Sequence, residues 1–492
     1  MTKPTFLAFD LGAESGRAML GTIENQKLSL QEVHRFPNGP IRVLGHLHWD
    51  IYRLLEELKT GLRKSLALAP GPIVSVGIDT WGVDFALLGP DGSLLGLPFA
   101  YRDSQTDGMV EEFLQSVPKE MVYQRTGIQF QQFNSLIQLF ALRRRRYPAL
   151  EWAAGLLFMP DALTYLLTGV AKSEFSIATT SQIYNPTIGD WDNDQLFAVG
   201  LKKSLMQEIV RPGTKVGSLT HEVAAEISAP TLPVIAVATH DTGSAVAAVP
   251  AEGTDWAYIS SGTWSLMGIE IPVPVLTLDA MRANFTNEGG VDGTFRFLRN
   301  IAGLWLLQEC RREWLAEREF SYDELMVLAS SAPPFRSLVD TDWQGFYRPS
   351  DMPEAIREFC RNTGQPTPET QGQFARCVLE SLSLKYRSTI EALRKAARAT
   401  IRTIHIIGGG SRNKLLCQFT ANATGLPVIA GPAEATAIGN IMVQARASGF
   451  AESFADMRTI VRRSFGLERY LPEQISQWEQ AYSRFISLKI PH

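Results

Sequence analysis

Four short stretches of the sequence set small residues beside acids or hydrogen-bond donors at the ends of apolar runs. The first is Asp10-Leu11-Gly12-Ala13-Glu14-Ser15-Gly16-Arg17. Small residues in such a turn let backbone N–H groups approach an anion closely, because no Cβ bulk intervenes. Ser15 adds a hydroxyl donor and Arg17 a cation for phosphate oxygens. Asp10 has the chemistry to hold Mg2+ through water. Glu14 suits a phosphate loop only if its carboxylate points away from the anion. The same composition also describes a solvated hairpin turn.

Thr239-His240-Asp241-Thr242-Gly243-Ser244 follows an apolar run and precedes an Ala-rich segment. Asp241 is a candidate general base, able to accept a hydroxyl proton. An Asp or Thr before AVAAV is equally an ordinary helix cap, and His240 reads as a hydrogen-bonded structural residue. Ile406-Ile407-Gly408-Gly409-Gly410-Ser411-Arg412-Asn413 could pass a nucleotide close to backbone at a helix start. It is neither a Walker A loop nor a G-x-G-x-x-G fingerprint, and alone it reads as a tight turn. Asp79-Thr80-Trp81-Gly82-Val83-Asp84 places an indole and a glycine between two carboxylates, equipment for a polyol or simply a core Trp at a strand end. No His or Cys spacing supports a zinc site.

These stretches need positioning elements, and the periodicity supplies them. TFLAF (5–9) and AMLGTIE flank the first turn as a hairpin, and KLSLQEVHRF alternates like a third strand. A related hairpin recurs at Trp256–Ile259 and Trp264–Ile269, around Ser260-Ser261-Gly262-Thr263. Two such hairpins suggest a duplicated architecture with a boundary near 248–255, giving domains of 1–249 and 250–485. Strands are expected at 72–80, 232–241 and 403–409, and FALLGPDGSLLG reads as strand, turn and strand. Helices are expected at 52–68 and 374–397; in the second, Phe374, Val378, Leu382, Tyr386, Ile390, Leu393 and Ala397 fall on one face. Strands interleaved with helices give the α/β class.

Of 492 residues, 45% are hydrophobic and 20% charged, enough for large cores and unlike a disordered chain. A net charge of −4 argues against a broad grip on nucleic acid or anionic membrane. Four cysteines are too few for a disulfide scaffold, and although Cys360 and Cys377 could come close, free thiols are expected. The N-terminus lacks a signal-peptide core and no apolar run spans a bilayer, so a cytoplasmic protein is expected. Arg143–Arg146 read as a solvated helix end. The sequons at Asn284 and Asn422 carry no meaning without secretion.

Taken in order, DLGAESGR, GIDTWGVDF, ATHDTGSAVAAVP, YISSGTWSLMG and IIGGGSRN resemble the FGGY carbohydrate kinases, relatives of actin, hexokinase and the heat-shock ATPases. SEFSIATTSQ (173–182) and NFTNEGGVDGTFRFLRNIAGLWLLQE (284–309) are similar to members acting on L-rhamnulose, and the resemblance covers about residues 5–445. It implies two RNase H-like domains across a cleft, with sugar mainly on the first and ATP mainly on the second. Asp241 would be the catalytic base. Ala13, Glu14, Ser15, Gly16 and Arg17, with Thr263, Gln308 and Gly409, would contact ATP, Glu14 departing from the small residue often found there. Gly82, His240, Asp241, Thr242 and Asn300 would line the sugar site, and Asp10 would organise Mg2+. The implied reaction is ATP-dependent phosphorylation of the 1-hydroxyl of L-rhamnulose. The alternatives are a kinase for fuculose, xylulose or ribulose, and a non-kinase actin-like ATPase.

Overall fold

Thr5–Leu11 carries no helical period and is buried along its whole length, the mark of a strand covered on both faces. In the computed structural model, which describes residues 3–347 and 349–489, this strand (β1) pairs antiparallel with Ser15–Glu24 (β2), and β2 with Lys27–Pro37 (β3). On its other side β1 runs parallel to Ile73–Thr80 (β4). Lys215–Ser218 (β5) and Pro233–Ile235 (β6) complete a six-stranded sheet in the order β5-β6-β4-β1-β2-β3. The strand expected over 232–241 stops at Ile235, and only a bridge between Thr80 and His240 continues the pairing. Phe85–Leu88 pairs with Gly155–Phe158, whereas the return strand expected after the Pro90-Asp91-Gly92 turn shrinks to one bridge, Leu88 to Leu94.

Helices cover both faces of this sheet. Ile51–Leu68 starts at Asp50, whose carboxylate accepts from Arg53 N–H at 3.0 Å. It lays Leu54, Leu58 and Leu62 into the same core as Leu7 and Phe9. Ala435–Ala447 lies on the opposite pleat, where a Cβ at Gly77 would stand 2.4 Å from Asn440 Oδ1. It crosses the short helix Asp241–Ala247 so closely that a Cβ at Gly439 would fall 1.7 Å from Ser244 O.

A second sheet repeats the plan. Trp256–Ser261 (β7) and Trp264–Ile271 (β8) form its hairpin, Phe295–Ala302 (β9) flanks β8, and Thr403–Ile407 (β10) runs parallel to β7. Val428–Ala430 (β11) and Glu468–Tyr470 (β12) extend the order to β9-β8-β7-β10-β11-β12, and Thr286–Gly289 adds a seventh strand beyond β9. Gln371–Ala397, a helix of 27 residues, buries the expected stripe from Phe374 to Leu393 and anchors β8 through Tyr386 Oη and Ser265 Oγ, 2.6 Å apart.

The chain divides into two compact units whose segments interleave. Residues through Glu252 join Glu270–Phe297 and Ala435–Ser464 in the first; Gly253–Ile269, Leu298–Glu434 and the chain from Phe465 make the second. Cys360 and Cys377 are buried free thiols. Among the described residues no helix is long and apolar enough to cross a membrane.

Candidate active site

In the first unit, strand register brings two acids side by side. Asp10 stands opposite Arg17 in β2 and opposite Asp79 in β4. Arg17 Nη2 donates to Asp10 Oδ2, so the cation of the first turn is already engaged by the acid expected to organise Mg2+. Asp79 is fully buried; Asn440 Nδ2 donates to its Oδ2 at 2.6 Å, while Oδ1 has no hydrogen-bond partner. Burial first, then the charges of Asp10 and Asp241, hold Asp79 well above the usual carboxylate range. An orphaned acid oxygen among mutually repelling carboxylates fits a divalent cation held through water. A direct protein cage is absent, since no group of three His, Cys, Asp or Glu among the described residues is arranged to hold a metal.

The turn between β1 and β2 is closed by Gly12 N–H donating to Ser15 O at 2.9 Å. Ala13 and Ser15 are half-buried there, Gly16 is buried, and Glu14 points to solvent.

His240, Asp241 and Thr242 straddle the start of the helix Asp241–Ala247. His240 is its N-cap residue without a side-chain cap bond, and Asp241 is the first helical residue, so the capping role open to Asp241 is not the one it plays. Its Oδ1 accepts from Thr242 N–H at 2.6 Å and Thr242 Oγ1 at 3.1 Å, and a third of its side chain (32%) is exposed. Gly82 lies against His240: a Cβ there would come within 3.3 Å of Nε2.

Buried charge holds this loop from behind. Glu174 caps the helix Phe175–Thr180 through Ser176 and Ile177 N–H and accepts from Thr239. Burial raises its pKa against those hydrogen bonds. Glu288 and Arg296 form a buried pair against His240; burial works to raise Glu288, but the Arg296 guanidinium holds it below the usual range. Thr286–Gly289, which carries Glu288, is tied to the helix by Gly289 N–H donating to Thr179 Oγ1 at 2.7 Å.

Asp84, read from sequence as an acceptor for a polyol, is engaged elsewhere. Trp49 Nε1, Trp81 Nε1 and Tyr101 N–H donate to its Oδ2 at 2.6, 2.9 and 3.1 Å, and Gln138 Nε2 to Oδ1 at 3.0 Å. Burial pushes its pKa up to about 6 despite these bonds. Its work is to fix two indoles with centroids 4.1 Å apart.

Thr263, Gln308, Gly409 and Asn300 belong to the second unit. The hairpin turn seats the helix Trp305–Trp314, with Leu304 and Trp305 N–H donating to Gly262 and Thr263 O, each at 3.1 Å. Gln308 rides half-buried on that helix. The glycine loop presses on the same hairpin: a Cβ at Gly410 would meet Ser261 Oγ at 2.1 Å, whereas one at Gly409 would meet nothing within 4 Å. Thr263, Gln308 and Gly409 therefore gather around one turn, while Asn300 stands half-buried on β9, in a different unit from Gly82, His240, Asp241 and Thr242.

Sequence reading gave no role to Glu174, Glu288, Arg296 or Asn440, and offered Asp79 only as one of two carboxylates suited to a polyol. The available signal was a charged residue lodged in an apolar or small-residue string, and for Asn440 its partner Gln444 one turn later in an otherwise apolar helix. Gln444 Nε2 donates to Asn440 Oδ1 at 2.7 Å, which aims Asn440 at Asp79.

Residues 5–248 match the N-terminal domain of the FGGY family of carbohydrate kinases, and residues 257–448 match its C-terminal domain. The chain is 52% identical to a rhamnulokinase of Bacteroides thetaiotaomicron over 98% of this chain and 99% of that one. It is 40% identical to a rhamnulokinase of Lactiplantibacillus plantarum, over 99% of each. A gluconate kinase from Lactobacillus acidophilus superposes with a TM-score of 0.81 at 15% identity, covering 99% and 97% of the two chains. Plasmodium falciparum glycerol kinase with ADP superposes with a TM-score of 0.80 at 13% identity, covering 100% and 99%. The last two likenesses concern the fold.

Proposed function

The chain belongs to the FGGY family of carbohydrate kinases, and from that premise we infer that it transfers the terminal phosphoryl group of ATP to the 1-hydroxyl of L-rhamnulose, giving L-rhamnulose 1-phosphate and ADP. The observation that carries the substrate is the 52% identity to a rhamnulokinase across nearly the whole chain. Neither a kinase for fuculose, xylulose or ribulose nor a non-kinase actin-like ATPase is favoured by a comparable match.

Phosphoryl transfer asks for positioning and charge neutralisation more than covalent help. In this reading residues 1–249 bind mainly the sugar and 250–485 mainly the nucleotide. Ala13, Glu14, Ser15, Gly16 and Arg17, with Thr263, Gln308 and Gly409, bind ATP through the turns described. Asp10, backed by Asp79, would hold Mg2+ through water, where the cation would supply neutralisation of the phosphate oxygens. Gly82, His240, Thr242 and Asn300 orient the sugar, and the Asp241 carboxylate, steadied at Oδ1 by Thr242, receives the hydroxyl proton. A carboxylate is a far weaker base than an alkoxide, so it orients the alcohol and accepts the proton late, once the transition state has acidified it. Both substrates are metabolites of the cytoplasm, where the enzyme acts.

A coupled ADP-release assay over a panel of ketoses tests the assignment. L-rhamnulose should rank first by kcat/KM, and a higher value for fuculose, xylulose or ribulose would replace it with that sugar.

A further inference from the structure

His240 is contacted at both ring nitrogens. Arg296 Nη2 lies 3.0 Å from Nδ1 and Glu288 Oε2 lies 3.2 Å from the same atom. At the opposite edge Asp241 Oδ1 stands 3.5 Å from Nε2. Arg296 is fully buried and aimed by two further contacts: its Nε donates to Gly289 O at 2.9 Å, and its Nη2 is 3.1 Å from Glu288 Oε2.

Of the two groups at Nδ1, Arg296 Nη2 is in hydrogen-bonding geometry, whereas Glu288 Oε2 makes no hydrogen bond; a guanidinium offers only donors, so a lone pair is demanded at Nδ1. A neutral imidazole with its lone pair on Nδ1 carries its proton on Nε2. We propose that Arg296, held by Glu288, is a positioning residue that locks His240 as the Nε2–H tautomer, so that the ring edge beside Gly82 and Asp241 donates to a hydroxyl oxygen of the sugar. This deepens the sugar-kinase reading and rests on its placing of His240 at the sugar.

The tautomer has consequences for proton traffic. An unprotonated Nε2 would set a lone pair against the Asp241 carboxylate and compete with it for the alcohol proton. A protonated Nε2 leaves Asp241 as the single acceptor at that edge. Glu288 balances the guanidinium charge, which would be costly to bury alone, without contacting the Nε2 edge.

The test is nitrogen-detected NMR of the full-length protein labelled in histidine, free and saturated with L-rhamnulose. Two-bond couplings should place the His240 proton on Nε2, and the Nε2 resonance should move when the sugar binds. A proton on Nδ1 overturns the proposal. A Nε2 resonance that stays put while calorimetry shows sugar binding removes His240 from the sugar site and overturns the reading beneath. In Arg296→Met the proton should transfer to Nδ1, facing Glu288, with KM for the sugar raised about three- to tenfold, the loss expected for one hydrogen bond, and KM for ATP unchanged. Arg296→Lys, which keeps a donor, should recover most of that loss. An unaltered tautomer in Arg296→Met, or equal changes in both KM values, overturns the assignment. Should that variant fail to fold, the wild-type spectrum alone decides.

Discussion

Glu174 Oε2 accepts from both the backbone N–H and the hydroxyl of Thr239, at 3.0 and 2.7 Å. The same carboxylate caps the helix Phe175–Thr180, so one buried acid joins a helix end to the segment that delivers Asp241. Its loss acts on structure and on catalysis together.

Glu174→Ala strands buried donors at Ser176, Ile177 and Thr239. Leaving such groups unpaired costs about 1–3 kcal/mol each before relaxation, so urea unfolding should show a loss of at least about 2 kcal/mol. Turnover should fall as well, because the loop before Asp241 loosens. Glu174→Gln keeps one acceptor oxygen and should lose less on both counts. An alanine variant as stable as the wild type would refute the tie.

Asp241→Asn keeps the shape of the side chain and its bond from Thr242 N–H, but an amide oxygen takes no proton from an alcohol. Turnover should fall by at least about 100-fold, while ATP binding measured by calorimetry stays close to wild type. Near-normal turnover would move the base elsewhere.

Much of this arrangement was legible in the sequence and some was not. The two hairpins, the strands Ile73–Thr80 and Thr403–Ile407, and the long helix Gln371–Ala397 follow from apolar runs, alternation and 3.6-residue periodicity. The joining of Glu270–Phe297 and Ala435–Ser464 to the first unit does not follow, because periodicity tells which face of a segment is apolar and never which sheet it covers. The same limit hid the pairing of Arg17 with Asp10: seven residues apart along the chain, they become neighbours only through the β1–β2 register. The hydrogen bonds of Asp84 were hidden for a related reason. The donors that engage it come from Trp49, Tyr101 and Gln138, all distant in sequence.

The pH dependence of Asp84 has a definite sign. Its folded pKa of about 6 lies above the ordinary aspartate value of 3.8, so between those values the folded state binds the extra proton and stability falls as pH rises. Roughly two units correspond to about 3 kcal/mol, fully present as a deficit above pH ~6. Asp84→Asn cannot ionise. Urea unfolding at pH 4 and pH 7 should therefore show the variant gaining on the wild type by about that amount at the higher pH. A difference between the two proteins that does not change with pH would show that folding leaves the Asp84 pKa where the unfolded chain has it.

Gly409 and Gly410 separate nucleotide contact from packing. A methyl group at 410 runs into Ser261 Oγ and Cβ at 2.1 and 2.5 Å, with Ser261 O at 3.1 Å. Gly410→Ala must then displace the strand end below the glycine loop, which should lower Tm and raise KM for ATP together. At 409 a methyl group meets nothing within 4 Å, and that glycine has no left-handed backbone to protect. Gly409→Ala should leave Tm within about 1 °C of the wild type, a surface change being worth under about 0.5 kcal/mol. Any rise in its KM for ATP, with KM for the sugar unchanged, then reports the nucleotide approaching that backbone. Equal ATP kinetics in Gly409→Ala and the wild type would take Gly409 out of the nucleotide site, whatever Gly410→Ala does.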